Sequence, residues 1–352
     1  MLTIDITRTY YPHWGVYSGI HQFVQFLDPD RFVVRQHTVP MGDDSPLPGF
    51  LKNLVRRKIA SRNVPAYGMN DFHAELSTFR RACTNSPDIV HLVDAEHSLM
   101  FLPAWLKCIR PVKQTPRVIA MFHQPADILE GLVNKDIVRQ VDCVLAVAPE
   151  QVEYFLGFMP AHRVKMILHG IDTRHFIPGN RGKDQEKFVC LAAGVWLRDY
   201  DAVIETARLL GDDAAFEFHI IASRFSVPED MHNVIIHRNI SDAEMLALYQ
   251  WAHVLFMPLK TATANNVLLE GCACGLPVIS TGLDSVQTYF PGQEAALVHD
   301  NRPQHFAEIL TDLHRNRSTL ELMSQAARAR AEELSWENVS RDYMALYHAL
   351  CS

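Results

Sequence analysis

Short, continuous apolar runs recur along this chain, separated by longer stretches of helical periodicity. The runs occupy 2–6, 89–93, 118–122, 141–147 and 164–168, then 188–192, 216–221, 234–237, 254–257 and 277–280. A run that is apolar at successive positions fits a strand buried on both faces. Between the runs, DAVIETARLL (201–210) and DAEMLALYQW (242–251) place apolar residues three and four apart, the period of an amphipathic helix. Strands and helices alternating in this way predict βαβ units, and so parallel sheets covered by helices on both faces.

The chain has 352 residues. One core stops growing at roughly 250–300 residues, so two domains are expected. The polar segment PGNRGKDQEK (178–187) falls between the two series of runs and reads as a linker or long turn. The expected division is 1–170 and 171–335. After Gln304 the pattern is helical over 306–313, 320–334 and 336–350, with Ser335 placed to cap the last helix.

Hydrophobic residues at 48% and charged residues at 21% exclude a disordered chain. The net charge of −7 has the wrong sign for a protein that wraps nucleic acid, so no nucleic-acid partner is expected. Seven cysteines, an odd number with no CxxC pair, read as reduced thiols of a cytoplasmic protein. The start MLTIDITRTYYPHW lacks a signal-peptide pattern. No window reaches the ~18–20 apolar residues of a membrane span. Asn239, Asn316 and Asn338 sit in glycosylation acceptor patterns that carry no weight without a secretion signal.

The densest chemical signal is TATANNVLLEGCACGLPVIS (261–280). Thr263 or Asn265 can cap a helix that Gly275 ends, and Pro277 opens the next strand. Such a start aims free backbone N–H groups and the positive end of the helix dipole at one spot, which suits an anion. Glu270, about one and a half turns inside, suits ribose hydroxyls. The alternative is an ordinary crossover whose Glu270 faces solvent.

This segment resembles the donor-sugar signature of the family 4 retaining glycosyltransferases, whose GT-B architecture has two Rossmann-like domains facing across a cleft. HGIDTRHFIPG (169–179), RDYDAVIETA (198–207), ISDAEMLALY (240–249) and the ending ARARAEELSWENVSRDYMALY resemble further family segments in the same order. The likeness runs from about Val141 to the end and is weak over 30–115. It implies transfer of a sugar from a UDP- or GDP-sugar to an acceptor hydroxyl of a glycan or lipid-linked acceptor, with retention, without metal and without a bound cofactor. It also implies that the last helix, 336–352, crosses back onto the N-terminal domain.

By the same resemblance, Glu270 binds the nucleotide ribose. Arg198 stands where the family has a diphosphate-neutralising Lys, and an Arg can fork two phosphate oxygens. The donor loop comprises Thr263, Ala264, Asn265, Asn266 and Val267, with Gly194 in the preceding strand–helix turn. Two family positions differ. The first of the paired glutamates falls at Ala262, and the second basic residue falls at Val195, for which Arg224 is a candidate substitute. The alternative function is a non-catalytic GT-B protein that binds a nucleotide-sugar or a partner enzyme. Nucleotide-sugar epimerisation is a third.

In the N-terminal half, His123 lies just past a predicted strand, at the edge where open α/β sheets bind ligands. The resemblance implies that it faces the transferred sugar. Ser18 and Gly19, assigned to donor binding, stand where the family has a Gly-Gly turn that lets backbone approach a phosphate or acceptor, with Gly15 a second candidate and an ordinary turn the alternative. His91, Asp94, Glu96 and His97 tempt a metal reading, but strand alternation scatters them over two faces, and no metal site is expected. Finally, 51–62 interleaves Lys52, Arg56, Arg57, Lys58 and Arg62 with Leu51, Leu54, Val55 and Ile59. It reads as a basic amphipathic helix able to rest on an anionic membrane face, or else as a solvated helix face.

Overall fold

The computed structural model describes the chain except residues 12–14, 110–114, 180–185, 212, 214, 224 and 229. Arg224 and most of the polar 178–187 segment therefore lie outside the described residues. Twelve strands form two wholly parallel six-stranded sheets among the described residues. β1 (Leu2–Tyr10), β2 (Phe32–Pro40), β3 (Ile89–Leu92), β4 (Arg117–Met121), β5 (Cys143–Ala146) and β6 (Val164–Met166) make the first, in the order β2-β1-β3-β4-β5-β6. β7 (Phe188–Ala193), β8 (Phe216–Ile221), β9 (Val234–His237), β10 (Val254–Met257), β11 (Val278–Thr281) and β12 (Ala295–Val298) make the second, in the order β12-β11-β10-β7-β8-β9.

The chain divides into two compact units. The first holds Met1–Trp14, Gly19–His169 and Val339–Ser352; the second holds Gly15–Ser18 and Gly170–Asn338. In the first, β3, β4 and β5 are buried along their length, apart from exposed Arg117 at the start of β4. Val90, Leu92, Val118, Ala120 and Phe155 belong to its core. Buried Glu75 gathers the N–H groups of Met100, Phe101 and Leu102 and the Tyr67 hydroxyl, and burial pushes its carboxyl up to about 7. The C-terminal helix Trp336–Cys351 joins this unit from Val339 onward. Tyr343 stacks on Phe23 at 4.2 Å, and the Tyr347 hydroxyl meets His91 Nδ1 at 2.8 Å.

In the second unit, buried Leu191, Leu255, Phe256, Ile279 and Phe306 carry the core. Here HGID has a packing reason: a Cβ on Gly170 would collide with the Trp336 ring, so only glycine lets the indole close on that backbone.

Two strands escape the apolar-run pattern. β2 mixes Arg35, Gln36, His37 and Thr38 into an edge strand with one paired side, where polar residues are tolerated. β12, AALV, is another edge strand, too short and alanine-rich to register as a run. No helix among the described residues is long and apolar enough to cross a membrane.

Candidate functional site

In the second sheet the chain starts at β7, proceeds outward through β8 and β9, then returns to the other side of β7 with β10. The loops leaving the C-terminal ends of β7 and β10 therefore diverge at a topological switch point, where α/β sheets form ligand crevices. The first loop carries Gly194 and Arg198; the second leads to Asn265.

Gly194 has φ 88°, and a Cβ there would lie 3.0 Å from Arg198 Nη2. Glycine supplies both the left-handed turn and the room for the guanidinium. Leu197, with φ 60°, turns the chain again so that Arg198 points back. Arg198 Nε donates to the Ala193 carbonyl at 3.0 Å, Nη1 to the Trp196 carbonyl at 3.0 Å, and Nη2 to Asn265 Oδ1 at 3.3 Å. Three of the five N–H bonds of the fork fix its plane, and two remain for a ligand. Burial lowers the Arg198 pKa, yet a guanidinium stays cationic in proteins.

Asn265 is the cap of the helix Asn266–Ala273, accepting from the Leu268 N–H at 3.4 Å. The same side chain thus ties Arg198 to the start of that helix. The amides of Asn266 and Val267 occupy its first turn, whose N–H groups have no partner within the helix. Thr263 is buried beside Ala264 in the approach to it. A cation and a helix N-terminus converge here, which is chemistry for a diphosphate.

Glu270 is one turn further along. It is 5% exposed, so it does not face solvent as an ordinary crossover residue would. Its Oε2 accepts from the Tyr249 hydroxyl at 2.8 Å and its Oε1 from the Ser18 hydroxyl at 2.5 Å. Burial pushes its carboxyl up to about 7, against the opposing pull of those two hydrogen bonds. Ser18 belongs to the short segment Gly15–Ser18 of the second unit. In it the Val16 N–H meets Asp242 Oδ2 at 3.3 Å and the Tyr17 ring stacks on His175 at 3.6 Å. Ala262, where the family has its first glutamate, is buried, and Val195 is exposed.

In the first unit, His123 follows β4. Its Nε2 donates to the Val93 carbonyl at 2.7 Å, the tautomer being fixed by a carbonyl's inability to donate. Glu96 Oε1 accepts the backbone N–H groups of His123 and Gln124, so a buried carboxylate sets the loop that presents the ring. Asp94 Oδ2 accepts the Thr9 N–H at 2.8 Å. His97 Nδ1 lies 3.1 Å from the Ala66 carbonyl, and His91 meets Tyr347. The four residues of the HLVDAEH cluster thus have separate partners, and no three metal-ligating side chains converge among the described residues. Gly19, with φ 98°, opens the short 3-10 turn Ile20–Phe26.

The structure therefore brings Gly194, Arg198, Asn265, Asn266 and Val267 together, with Glu270 and Ser18 paired one turn away. His123 and Gly19 belong to the other unit. Tyr249, which ends the ISDAEMLALY segment, has the spacing of a core position, so the sequence carries no sign of its contact with Glu270.

Residues 187–316 match the family described as Glycosyl transferases group 1. The D-inositol 3-phosphate glycosyltransferase of Paenarthrobacter aurescens is 27% identical over 251 residues, 69% of this chain and 60% of that protein. The enzyme of the same name from Geodermatophilus obscurus is 23% identical over 340 residues, 83% of this chain and 75% of its own. The sucrose-phosphate synthase structure from Thermosynechococcus elongatus superposes with a TM-score of 0.71 at 15% identity, covering 99% of both chains. HepE from Anabaena, solved in complex with UDP, superposes at 0.69 and 10% identity, covering 99% of this chain and 100% of that one.

Proposed function

Because residues 187–316 match the group 1 glycosyltransferases and the chain has the two-sheet GT-B fold, we propose that it moves a hexosyl group from a nucleoside diphosphate sugar to an acceptor hydroxyl. The observation that carries this reading is the Arg198–Asn265 contact at the start of the 266–273 helix, with the Glu270 carboxylate one turn deeper. The first arrangement suits the diphosphate and the second the ribose. Ser18 now holds the Glu270 oxygen that a ribose hydroxyl would use.

In the proposed step the bond from the anomeric carbon to the diphosphate breaks as the acceptor oxygen bonds to that carbon, with retained configuration. The acceptor proton leaves with the diphosphate. Positive charge grows on the sugar ring and negative charge on the leaving group. The Arg198 fork and the helix amides are aimed where that negative charge develops, and a pre-set donor there lowers the barrier. Those fixed charges take the role a divalent cation has in other sugar transferases, so the reaction proceeds without added metal. The UDP bound to HepE and the phosphorylated inositol named for the two relatives make a uridine nucleotide and a polyol the first donor and acceptor to try.

A panel of nucleotide-sugars in metal-free buffer tests this. One of them should raise the melting temperature and, with an acceptor, release nucleoside diphosphate. Binding without release or hydrolysis would favour the non-catalytic reading that Ala262 and Val195 suggest. No shift with any of them would overturn both.

A second partner has an observation of its own. The helix Gly49–Ala60 buries none of its residues, leaving Phe50 74% and Leu54 64% exposed beside Lys52, Arg57 and Lys58. Arg56 is paired with Asp43, and Arg62 lies two residues past the helix end. We assign this face to an anionic bilayer: apolar tips enter the interface, and each free cation contributes about 1 kcal/mol. Wild type should co-sediment with vesicles rich in anionic lipid. Changing the five basic residues of 51–62 to Gln should lower that binding at least tenfold. Equal binding by the two proteins would refute the assignment.

A further inference from the structure

We infer that Asn301 is a positioning residue of the diphosphate site, acting through the two loops that carry Arg198 and Asn265. The inference rests on the donor-site reading above. Asn301 lies between β12 and the helix Pro303–Arg315, with φ 50°, a left-handed conformation that asparagine tolerates better than most residues. Its Nδ2 donates one hydrogen to Asp199 Oδ2 at 3.0 Å and the other to the Leu259 carbonyl at 2.9 Å. With both amide hydrogens used, its Oδ1 accepts the Thr281 hydroxyl proton at 2.6 Å. The Thr281 oxygen in turn accepts the Leu259 N–H at 2.7 Å. Every polar atom of the amide is engaged, and the pattern fixes which end is nitrogen.

The two groups it joins belong to different loops. Asp199 follows Arg198 directly and caps the helix Tyr200–Leu209 through the Ala202 N–H. Leu259 lies in the loop that runs from β10 towards Asn265. The loops are also laced by backbone: Asp199 N–H to the Pro258 carbonyl at 2.9 Å and Lys260 N–H to the Leu197 carbonyl at 3.0 Å, with Arg198 and Leu259 bridged antiparallel. Asn301 stands behind this lacing and cross-links it to β11 through Thr281. The hydrogen bonds of its amide go to Asp199, Leu259 and Thr281, not to Arg198 or Asn265, and its effect on a ligand comes through the spacing of those two residues. A group of this kind sets how well a pre-formed cradle fits a diphosphate and leaves a contact to ribose or base alone.

Asn301→Gly removes the clamp while keeping a residue that accepts the left-handed turn. Two readouts decide the inference. In amide hydrogen exchange, Asp199 and Lys260 should exchange at least tenfold faster in the variant while β7 amides stay unchanged; equal exchange at both would overturn it. In binding, affinity for a nucleoside diphosphate should fall roughly tenfold, the scale of a lost hydrogen bond to a charged group, with affinity for the bare nucleoside unchanged. Equal losses for both ligands, or no loss, would overturn it. Thr281→Val should reproduce the split and Thr281→Ser should not. If wild type binds no nucleotide, the donor-site reading fails, and exchange at Asp199 and Lys260 still decides whether Asn301 holds the loops.

Discussion

Glu270→Gln lowers affinity for the nucleoside diphosphate at pH 8 by about a hundredfold. A hydrogen bond to a charged group contributes about 1.5–3 kcal/mol, and a carboxylate spanning two ribose hydroxyls makes two of them. Glutamine keeps the shape and the contact with Tyr249 but loses the charge. The wild-type site should also be pH-dependent. With its carboxyl pushed up to about 7, Glu270 is mostly protonated at pH 6 and mostly ionised at pH 8. A ribose hydroxyl donates best to the ionised form, so wild-type affinity should rise about tenfold over that range, and the variant's should stay flat. Stability without ligand moves the other way. The folded value lies above the unfolded 4.5, so the folded state holds a proton that the unfolded state releases. Stability from this group is therefore full below pH 4.5 and is lost as pH rises through 7, by an amount on the order of 3 kcal/mol. Glu75 behaves alike and is common to both proteins, so the difference between their melting curves isolates Glu270. Titration calorimetry and thermal melts at pH 6 and 8 measure both effects. Wild-type affinity retained by the glutamine variant at pH 8 would remove Glu270 from the site.

The local parts of this site were legible because they depend on neighbours in sequence. Asn265 as a cap, Gly275 in a left-handed turn with φ 75° and Glu270 inside the helix all follow from spacing within one strand–helix unit. The β-strand order was not legible. That β7 and β10 lie side by side, and so put Arg198 against Asn265, depends on pairing across 64 residues. The same holds for what surrounds Glu270. Tyr249 reads as a core position on a helix, and only the packed fold turns its hydroxyl onto the carboxylate. Asn301 and Thr281 carry no sequence signal because each is a small polar residue at the end of a short edge or near-edge strand. The HLVDAEH cluster shows the reverse case: four ligand-type side chains close in sequence invite a metal reading, strand alternation argues against it, and the fold gives each of them hydrogen-bond partners of its own. The periodicity of 51–62 predicts a helix, and one runs over Gly49–Ala60, but composition does not disclose that Asp43 engages Arg56.

The second large effect is expected at Arg198. Arg198→Ala should lower kcat/KM for sugar transfer by about 10²–10³-fold, the usual loss when one pre-set donor to a developing anion is removed. Arg198→Lys divides the roles of the side chain. A lysine brings the same charge to the start of the 266–273 helix and should recover much of the diphosphate affinity. It has no planar fork, so it cannot hold the Ala193 and Trp196 carbonyls and Asn265 while also presenting two parallel N–H groups to phosphate oxygens. Affinity should therefore return to within about tenfold of wild type while turnover stays depressed. This split separates two views of the residue. If Arg198 only neutralises charge, lysine restores binding and turnover together, because charge acts on bound donor and transition state alike. If its geometry matters, KM recovers and kcat does not, because the fork meets the leaving oxygens most closely as their charge grows. The structure favours the second view, since three hydrogen bonds are spent on holding the guanidinium plane, which a point charge would not need. Steady-state kinetics of the two variants, with melting curves to show that both remain folded, would decide it, and joint recovery in the lysine variant would refute the geometric role.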